Sequence, residues 1–519
     1  MIPPTRRRLI HAVGRAGGAA AVYTTMAAMG LLAVPESHAA TPTLPAGRGR
    51  RVLILGAGIA GMVMALELKR AGFDPLILEA RTRPGGRNWS LRGGDVVREI
   101  ASTQQVDWHT APYLYVNPGP ARLPYHHTAI LGYCRQLGVP LEVMCNDDRA
   151  ALMQDEAAFG GVPQINRRII TDLRGHVAAL AAKAVDAKAL DQPLAADDLE
   201  RLRNALRAFG ALDKDMAYRG SSRAGYAVPP GGGTQAGTGL PPLDLRAILA
   251  ADFWRFETQF GESFEMAATM MQPVGGMDRI GHAFAAALAG HIRYGTEVTA
   301  LRKTEAGVRV AWRGPHGSGH LDAPFVVLTQ PLTVLRDLDA DFSPALRAAM
   351  ATVEYVPAGK IAWQASRRFW EEDEQIYGGI SWTSRDITQV WYPTAGIHAP
   401  RGILLGAYIW SRGIGDRFAA AAPAERLRKG MADLARLHPK GVGELGQGIS
   451  VAWKNIPFSQ GAWSYWSRSA RAAAYPLLLK GEGPFLFAGE HMSYINGWQE
   501  GAARSAFYTL GQVAARMGA

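Results

Sequence analysis

The chain has 519 residues, of which 48% are hydrophobic and 19% charged, a balance typical of a compact protein with two or three domains. Two cysteines, Cys134 and Cys145, argue against a disulfide framework, and their spacing is not that of a zinc site. No metal site is therefore predicted. The net charge is +11, but the basic residues are dispersed and no nucleic-acid-binding motif is present, so the charge predicts a solvated basic surface and no nucleic-acid partner.

The first forty residues have the features of an export signal. Arg6, Arg7 and the residues around them resemble a twin-arginine motif, an uncharged stretch runs from 16 to 34, and Ser37 to Ala39 fits a cleavage site. A transmembrane anchor is the alternative, but the stretch is rich in Ala, Gly and Thr and barely long enough to span. Residues 1–40 are therefore interpreted as a signal peptide, and the mature chain is expected in the periplasm or secreted, without stable membrane insertion.

A glycine-rich turn follows the first strong strand pattern, at 51–55. Gly56, Gly58 and Gly61 form a G-x-G-x-x-G motif that opens an apolar helix, and Glu79 follows about twenty residues later. In such a unit the glycines allow a tight turn, close approach of the backbone to a pyrophosphate and helix packing, and the acid reaches a ribose hydroxyl. These residues predict a dinucleotide site, with FAD and NAD both possible at this point.

Two further segments resemble the flavin amine oxidase family, which includes the monoamine oxidases. Residues 83–87 match its R-x-G-G-R run, and the C-terminal stretch from Phe487 to Ala502 resembles its second flavin contact. The resemblance implies FAD as the cofactor. It implies these cofactor-binding residues: Gly56, Gly58, Ala60, Gly61, Glu79, Ala80, Arg81, Gly86, Arg87, Ala121, Arg122, Val298, Gly489, Glu490, Gly497, Trp498 and Ala502.

The same resemblance implies an α/β fold of the amine-oxidase and glutathione-reductase type, with interleaved domains. A Rossmann-like FAD-binding domain is expected from residues 48–118, 266–345 and 451–519, and an α+β substrate-binding domain from 119–160 and 346–450. Residues 161–265 are predicted to form a helical insert. Within it, the stretch 228–242 is so rich in Gly and Pro that no regular element is expected, only a surface loop or a flap over the site.

One arginine separates amino-acid oxidases from amine oxidases within this family. Arg122 lies in a run, Gly119 to Pro124, that resembles the G-P-x-R-L-P motif of L-amino-acid oxidases, where the arginine holds the substrate carboxylate. A planar guanidinium binds a carboxylate through two hydrogen bonds and so fixes its direction. An amine substrate has no group for this arginine to bind.

Three more residues complete the catalytic set that the resemblance implies. Tyr408 would donate its hydroxyl to the same carboxylate, with Tyr392 or Tyr377 as alternatives. Lys360 would hold a water molecule near the flavin. Trp498 would form a wall of the substrate cavity, and the carbonyl of Gly497 would accept from the substrate amino group.

The expected reaction is oxidation of an L-amino acid by noncovalently bound FAD and O2, giving a 2-oxo acid, ammonia and hydrogen peroxide. Noncovalent binding is expected because the aromatic segment 459–463 has no cysteine where monoamine oxidases bond the flavin. The alternatives are a 2-monooxygenase that yields the amide, an amine oxidase, and a flavin-binding protein without turnover. A homo-oligomer, a dimer, is also expected. Side-chain preference stays open, since residues 253–271 offer apolar groups as well as Glu262 and Glu265.

Overall fold

The computed structural model describes residues 42–190, 194–315 and 317–518. The predicted export signal at 1–40 therefore lies outside the described residues. Within the described ranges, no helix is both long enough and apolar enough to cross a membrane.

A five-stranded parallel sheet forms the centre of the first domain. Its strands come from three distant parts of the chain, in the order Ile292–Arg293, Asp74–Leu78, Arg51–Leu55, Val326–Leu328 and Phe485–Phe487. The inner strands are apolar on both faces, as expected for a parallel sheet covered on both sides. The helices Ile59–Arg70 and Gln499–Gly518 share one hydrophobic core on this sheet, so the two ends of the described chain meet there.

A seven-stranded mixed sheet forms the second domain. Its order is Leu445–Ala452, Gly359–Ala365, Gly402–Ile409, Gln389–Trp391, Ile380–Thr383, Leu152–Gln154 and Gln164–Ile165. The second and third of these strands are antiparallel, and their register pairs Lys360 directly with Tyr408. Two of the predicted catalytic residues, 48 positions apart in sequence, are therefore neighbours across the sheet.

The two long helices of the region 161–265, Asn166–Asp186 and Ala196–Gly210, pack on each other through small and apolar side chains. The expectation that 228–242 holds no regular element is wrong at its ends. Tyr226–Val228 and Thr238–Gly239 form a short antiparallel hairpin around the Gly- and Pro-rich residues. Backbone pairing at the two ends needs no apolar side-chain pattern, so no pattern of residues indicates this hairpin.

The remaining elements are short and connect these units. The other α-helices are Thr128–Gln136, Leu245–Ala250, Asp278–Ala287, Leu332–Leu335, Pro344–Ala351, Phe369–Glu372, Arg412–Ala420, Pro423–Leu437, Arg468–Ala473 and Tyr475–Lys480. Single 3-10 turns are Phe159–Gly161, Ser222–Ala224, Glu257–Glu262, Phe264–Met266, Val442–Glu444, Trp453–Asn455 and Glu490–Met492. The other strands are Val96–Arg98, Thr103–Gln105, Leu123–Pro124, Leu141–Met144, Met270–Pro273, Glu297–Thr304, Gly307–Gly314, Gly317–Ala323, Asp339–Ala340, Glu354–Tyr355 and Ser464–Tyr465.

Candidate active site

A cavity of about 450 Å³ lies where the parallel strands of the first domain end and the seven-stranded sheet begins. This is the edge at which open α/β sheets bind their ligands. Most of the predicted cofactor residues form its wall: Gly56, Gly58, Ala60, Glu79, Ala80, Arg81, Gly86, Arg87, Val298, Gly489, Glu490, Gly497, Trp498 and Ala502. Residues from both ends of the chain thus enclose one elongated space.

The glycine-rich turn leaves room for a ligand at one end of the cavity. A Cβ atom built on Gly58 would meet nothing within 4 Å, and the helix Ile59–Arg70 starts at the next residue with its N–H groups facing this space. Glu79 is buried, and its carboxylate accepts hydrogen bonds from the backbone N–H of Ala57 (2.7 Å) and Arg81 (2.8 Å). The turn and the acid are therefore held in one rigid arrangement.

A partly buried ion pair joins the N-terminal and C-terminal parts of the cavity wall. Arg87 donates to Glu490 at 2.8 Å and to the carbonyl of Ala462 at 2.8 Å. Glu490 also accepts from the backbone N–H of Gly497 and from Ser464. Burial, the largest single effect, acts to raise the pKa of Glu490, but Arg87, His491 and the N–H of Gly497 together lower it, so this carboxylate is ionised.

Three of the predicted cofactor residues do not line the cavity: Gly61, Ala121 and Arg122. Gly61 packs against the turn, because a Cβ there would lie 2.1 Å from the carbonyl oxygen of Gly56. Ala121 lines a second cavity of about 60 Å³ beside Trp391. In this structure Gly61 therefore serves helix packing, and Ala121 faces away from the main cavity.

Arg122 is buried without an acidic partner in the described part of the chain. Its guanidinium donates to Oδ1 of Asn146 (2.7 Å) and to the sulfur of Met266 (2.9 Å). Its Cζ lies 4.6 Å from the ring centre of Trp391 and 5.7 Å from that of Trp498. Burial lowers the pKa of Arg122 to about 10, with a smaller opposing effect of the Tyr408 side chain, so the group stays charged at neutral pH.

Lys360 is a second buried basic group close by. Its Nζ donates to the carbonyl oxygens of Asn117 (2.8 Å) and Gly119 (2.7 Å) and lies 4.2 Å from the ring centre of Tyr408. Burial, and then the charge of Arg122, lower the pKa of Lys360 well below its ordinary value. A neutral amine has two N–H donors, both used here, which leaves its lone pair free.

Tyr408 lines the cavity, and the two alternative tyrosines do not. Burial raises the pKa of Tyr408 above its ordinary value, although Arg122 acts in the opposite direction, so the hydroxyl keeps its proton. The hydroxyl of Tyr392 is bonded in the core to Ser381 (2.6 Å) and His438 (2.8 Å). Tyr377 lies on the surface and is 38% exposed.

Sequence reasoning missed the residues that surround Arg122. Asn146 and Trp391 come from the second domain, and Phe260 and Met266, which precede the strand Met270–Pro273, cover the guanidinium. From the sequence, Phe260 and Met266 are predicted only as apolar groups within residues 253–271. No local pattern marks an arginine contact, because these residues are up to 269 positions away from Arg122 in sequence.

Three polar side chains that meet beside Trp498 were also not predicted from the sequence to lie together. His126 and His127 both contact one carboxylate oxygen of Glu265, at 3.3 and 2.8 Å. The ring of His127 lies 5.0 Å from that of Trp498. Glu265, considered from sequence as a receptor for a basic substrate, is thus engaged by two imidazoles.

Comparison with known proteins matches residues 59–509 to the family described as flavin containing amine oxidoreductase. The chain belongs to this family. Its relatives include an L-amino-acid oxidase of Siganus canaliculatus, 28% identical over 88% of this chain and 83% of the relative. A flavin-dependent L-tryptophan oxidase of Lentzea aerocolonigenes is also 28% identical, over 88% of this chain and 96% of the relative.

Solved structures support the same fold for this flavin oxidoreductase. A putrescine oxidase bound to putrescine superimposes with a TM-score of 0.60 at 19% identity, over 90% of this chain and 99% of that one. A cyclohexylamine oxidase from Brevibacterium oxydans gives 0.59 at 18% identity, over 92% and 100%. These comparisons confirm the predicted fold class and the predicted family.

The cofactor of this flavin oxidoreductase is FAD, and the cavity fits it. The open space at Gly58 and the helix N-terminus suit a pyrophosphate, and the rest of the cavity extends to Trp498 and Tyr408. The aromatic segment 459–463 lines the cavity without a thiol, and neither Cys134 nor Cys145 forms part of the wall. The binding is therefore noncovalent, as predicted.

Proposed function

We propose that this flavin oxidoreductase oxidises L-amino acids to 2-oxo acids, with release of ammonia and hydrogen peroxide. The observation that carries the proposal is the buried guanidinium of Arg122, for which no acid among the described residues forms an ion pair. An unpaired buried charge is costly, and an anion that binds beside it removes that cost. A substrate carboxylate is such an anion, whereas an amine substrate has none to offer. The relatives named L-amino-acid oxidase point the same way.

The proposed roles follow from the position of each group. Arg122 binds the carboxylate through its guanidinium after Met266 moves aside, and the Tyr408 hydroxyl donates the further hydrogen bond. The carbonyl of Gly497 accepts from the substrate amino group, and the Trp498 ring limits movement of the substrate. Such anchoring at two ends lowers the barrier mainly through orientation.

The bound FAD supplies the acceptor for the hydride that leaves the substrate Cα. Lys360, held by two carbonyl groups with its lone pair free, would accept a hydrogen bond from a water molecule. That water is suited to add to the imino acid, which then loses ammonia to give the 2-oxo acid. Oxygen takes up the two electrons and two protons as hydrogen peroxide.

Product analysis tests the proposal directly. The FAD-loaded enzyme is incubated with each of the twenty L-amino acids and with the amines that correspond to them without the carboxylate. We expect 2-oxo acid, ammonia and hydrogen peroxide in equal amounts from a subset of the amino acids, and little oxidation of the amines. An amide product would instead establish the 2-monooxygenase, and oxidation of amines at equal rates would establish an amine oxidase.

We also propose export through the twin-arginine route to the periplasm or the medium. The support is the sequence at Arg6 and Arg7 and the cleavage site that follows it. This route carries folded proteins, which suits an enzyme that binds its cofactor before export. Fractionation of cells that express the Arg6→Lys, Arg7→Lys double variant tests it: activity should stay in the cytoplasm, and unchanged export would contradict the proposal.

A further inference from the structure

Three side chains with metal-binding atoms converge beside the proposed substrate site. His126 and His127 lie just before the helix Thr128–Gln136, and Glu265 lies in the turn Phe264–Met266. Their nitrogen and oxygen atoms all lie within 4.8 Å of one another. His127 is 1% exposed, whereas Glu265 is partly exposed. The protein therefore shields the three side chains, but a metal ion can still reach them from solvent.

The spacing is close to what a small transition-metal ion requires. In a tetrahedral zinc site with bonds of about 2.0 to 2.1 Å, neighbouring ligand atoms are about 3.4 Å apart. The two ring nitrogens lie 3.3 and 2.8 Å from the same oxygen of Glu265 and within 4.8 Å of each other, so the two rings must move closer together to hold the ion. Two imidazoles and one carboxylate form a ligand set that zinc uses with a fourth position left for water.

We propose that His126, His127 and Glu265 form a binding site for a divalent transition-metal ion, with zinc as its best fit. The ion replaces the protons that now connect the two rings to the carboxylate. It neither takes part in the oxidation nor touches the flavin cavity directly. The ion acts instead on Met266, the residue that covers the Arg122 guanidinium.

The proposed metal ligand Glu265 is adjacent in the chain to Met266, which covers Arg122. Met266 follows Glu265, its sulfur accepts from the Arg122 guanidinium at 2.9 Å, and its carbonyl accepts from Asn146 at 2.9 Å. A carboxylate can reach this face of Arg122 only after Met266 moves away. A metal ion that ties Glu265 to His126 and His127 opposes that movement, so metal binding should raise KM for the amino acid more than it lowers kcat. The predicted effect on KM rests on the proposed function, whereas metal binding itself does not.

Equilibrium dialysis of the FAD-loaded protein against zinc chloride, with bound zinc measured by mass spectrometry, tests the site. We expect one zinc ion per chain, and an affinity lower by at least about tenfold in His126→Ala and in Glu265→Gln, since loss of even a supporting partner weakens metal sites by this factor. Glu265→Gln keeps the size of the side chain and guards against misfolding of the other variant. His320→Ala, on the exposed face of the strand Gly317–Ala323, is the matched control and should bind like the unaltered protein.

Either of two dialysis results would overturn the site: no stoichiometric zinc, or equal zinc affinity in the two site variants and the control. Steady-state kinetics then test the effect on the cover. Zinc should raise KM several-fold in the unaltered enzyme and in His320→Ala, but not in His126→Ala. Stoichiometric zinc without a change in KM would refute the effect on Arg122. Because dialysis needs no turnover, it gives the same answer even if the enzyme does not oxidise amino acids.

Discussion

Arg122 shows how a charge can be kept unpaired in a protein interior. It is surrounded by aromatic rings, an amide and a sulfur. Each contact partly replaces water, but none neutralises charge. Functional sites are where such local costs are expected, because the ligand supplies the missing partner.

The Tyr408→Phe variant removes the hydroxyl of Tyr408 and keeps its ring, so it tests the role of the hydroxyl alone. The ring still packs over Lys360 and Trp391, so the fold and the flavin content should not change. Loss of a neutral donor to a charged acceptor costs about 1.5 to 3 kcal/mol, or roughly ten- to hundred-fold in kcat/KM for every L-amino acid used. Steady-state kinetics check this prediction, with Tyr377→Phe on the surface as the control. An equal loss in both variants, or none in Tyr408→Phe, would contradict the role assigned to the hydroxyl.

The buried His491 side chain should make the stability of the folded protein depend on pH. It is fully buried, and burial lowers the pKa of its ring to about 4, with smaller effects of Glu490 (raising) and Arg87 (lowering). Below the ordinary value of about 6.5, the unfolded chain binds a proton at this residue that the folded chain does not, so stability falls as the pH falls. Between about pH 7.5 and 5 this group alone should cost about 2 kcal/mol.

Thermal unfolding of His491→Gln and of the unaltered protein at both pH values measures this contribution. The variant cannot titrate at this position, so its midpoint temperature should fall less on acidification. Equal falls in both proteins would show that other groups cause the acid sensitivity.

At the scale of single elements, substitution of two glycines in the glycine-rich turn should have different effects, one on FAD binding and one on stability. A methyl group on Gly58 would point into open space, whereas one on Gly61 would lie 2.1 Å from the carbonyl oxygen of Gly56. Gly58→Ala should therefore fold normally but bind FAD weakly, because the methyl group occupies space next to the helix N-terminus. Gly61→Ala should instead unfold at lower temperature even without flavin.

Unfolding of the flavin-free proteins and FAD titration of each distinguish the two effects. Gly58→Ala should match the unaltered apoprotein in midpoint temperature and differ in FAD affinity. Normal FAD binding by Gly58→Ala would mean that the pyrophosphate does not approach this backbone.

The sequence predicted elements that a side-chain pattern marks and missed contacts that no such pattern marks. The strand–turn–helix at Arg51 to Arg70 follows from glycine positions and apolar periodicity, and the helix Gln499–Gly518 from its apolar face. The hairpin at Tyr226–Val228 is made by backbone pairing, and the cover of Arg122 by Met266 joins residues 144 positions apart. Tyr408 could be chosen only through resemblance to a family, whereas its strand register against Lys360 needed the structure.

At the scale of the whole molecule, the cofactor site is built from both ends of the chain. Arg87 from the first segment, which is partly exposed, and the buried Glu490 from the last form an ion pair beside the cavity. Removing Arg87 would leave the buried Glu490 carboxylate without its partner, at a cost of about 3 to 5 kcal/mol. The two ends therefore stabilise each other across the cavity.

Noncovalent binding predicts that unfolding releases the flavin. Acid or heat denaturation, followed by centrifugation, should leave free FAD in the supernatant and a colourless precipitate. The physical reason is that no thiol lines the cavity, so nothing holds the flavin once the wall is lost. Yellow colour that stays with the precipitated chain would contradict it.

The most direct test of the central claim is the kinetic behaviour of Arg122→Met towards amino acids and amines. Removing one partner of a desolvated charge pair costs about 2 to 5 kcal/mol, so kcat/KM should fall by roughly thirty-fold to several-thousand-fold for every L-amino acid, with FAD still bound. The corresponding amines should be poor substrates of the unaltered enzyme and should lose nothing further in the variant. If Arg122→Met keeps its amino-acid activity, or if amine oxidation falls equally, Arg122 does not bind a substrate carboxylate and the amino-acid oxidase proposal is wrong.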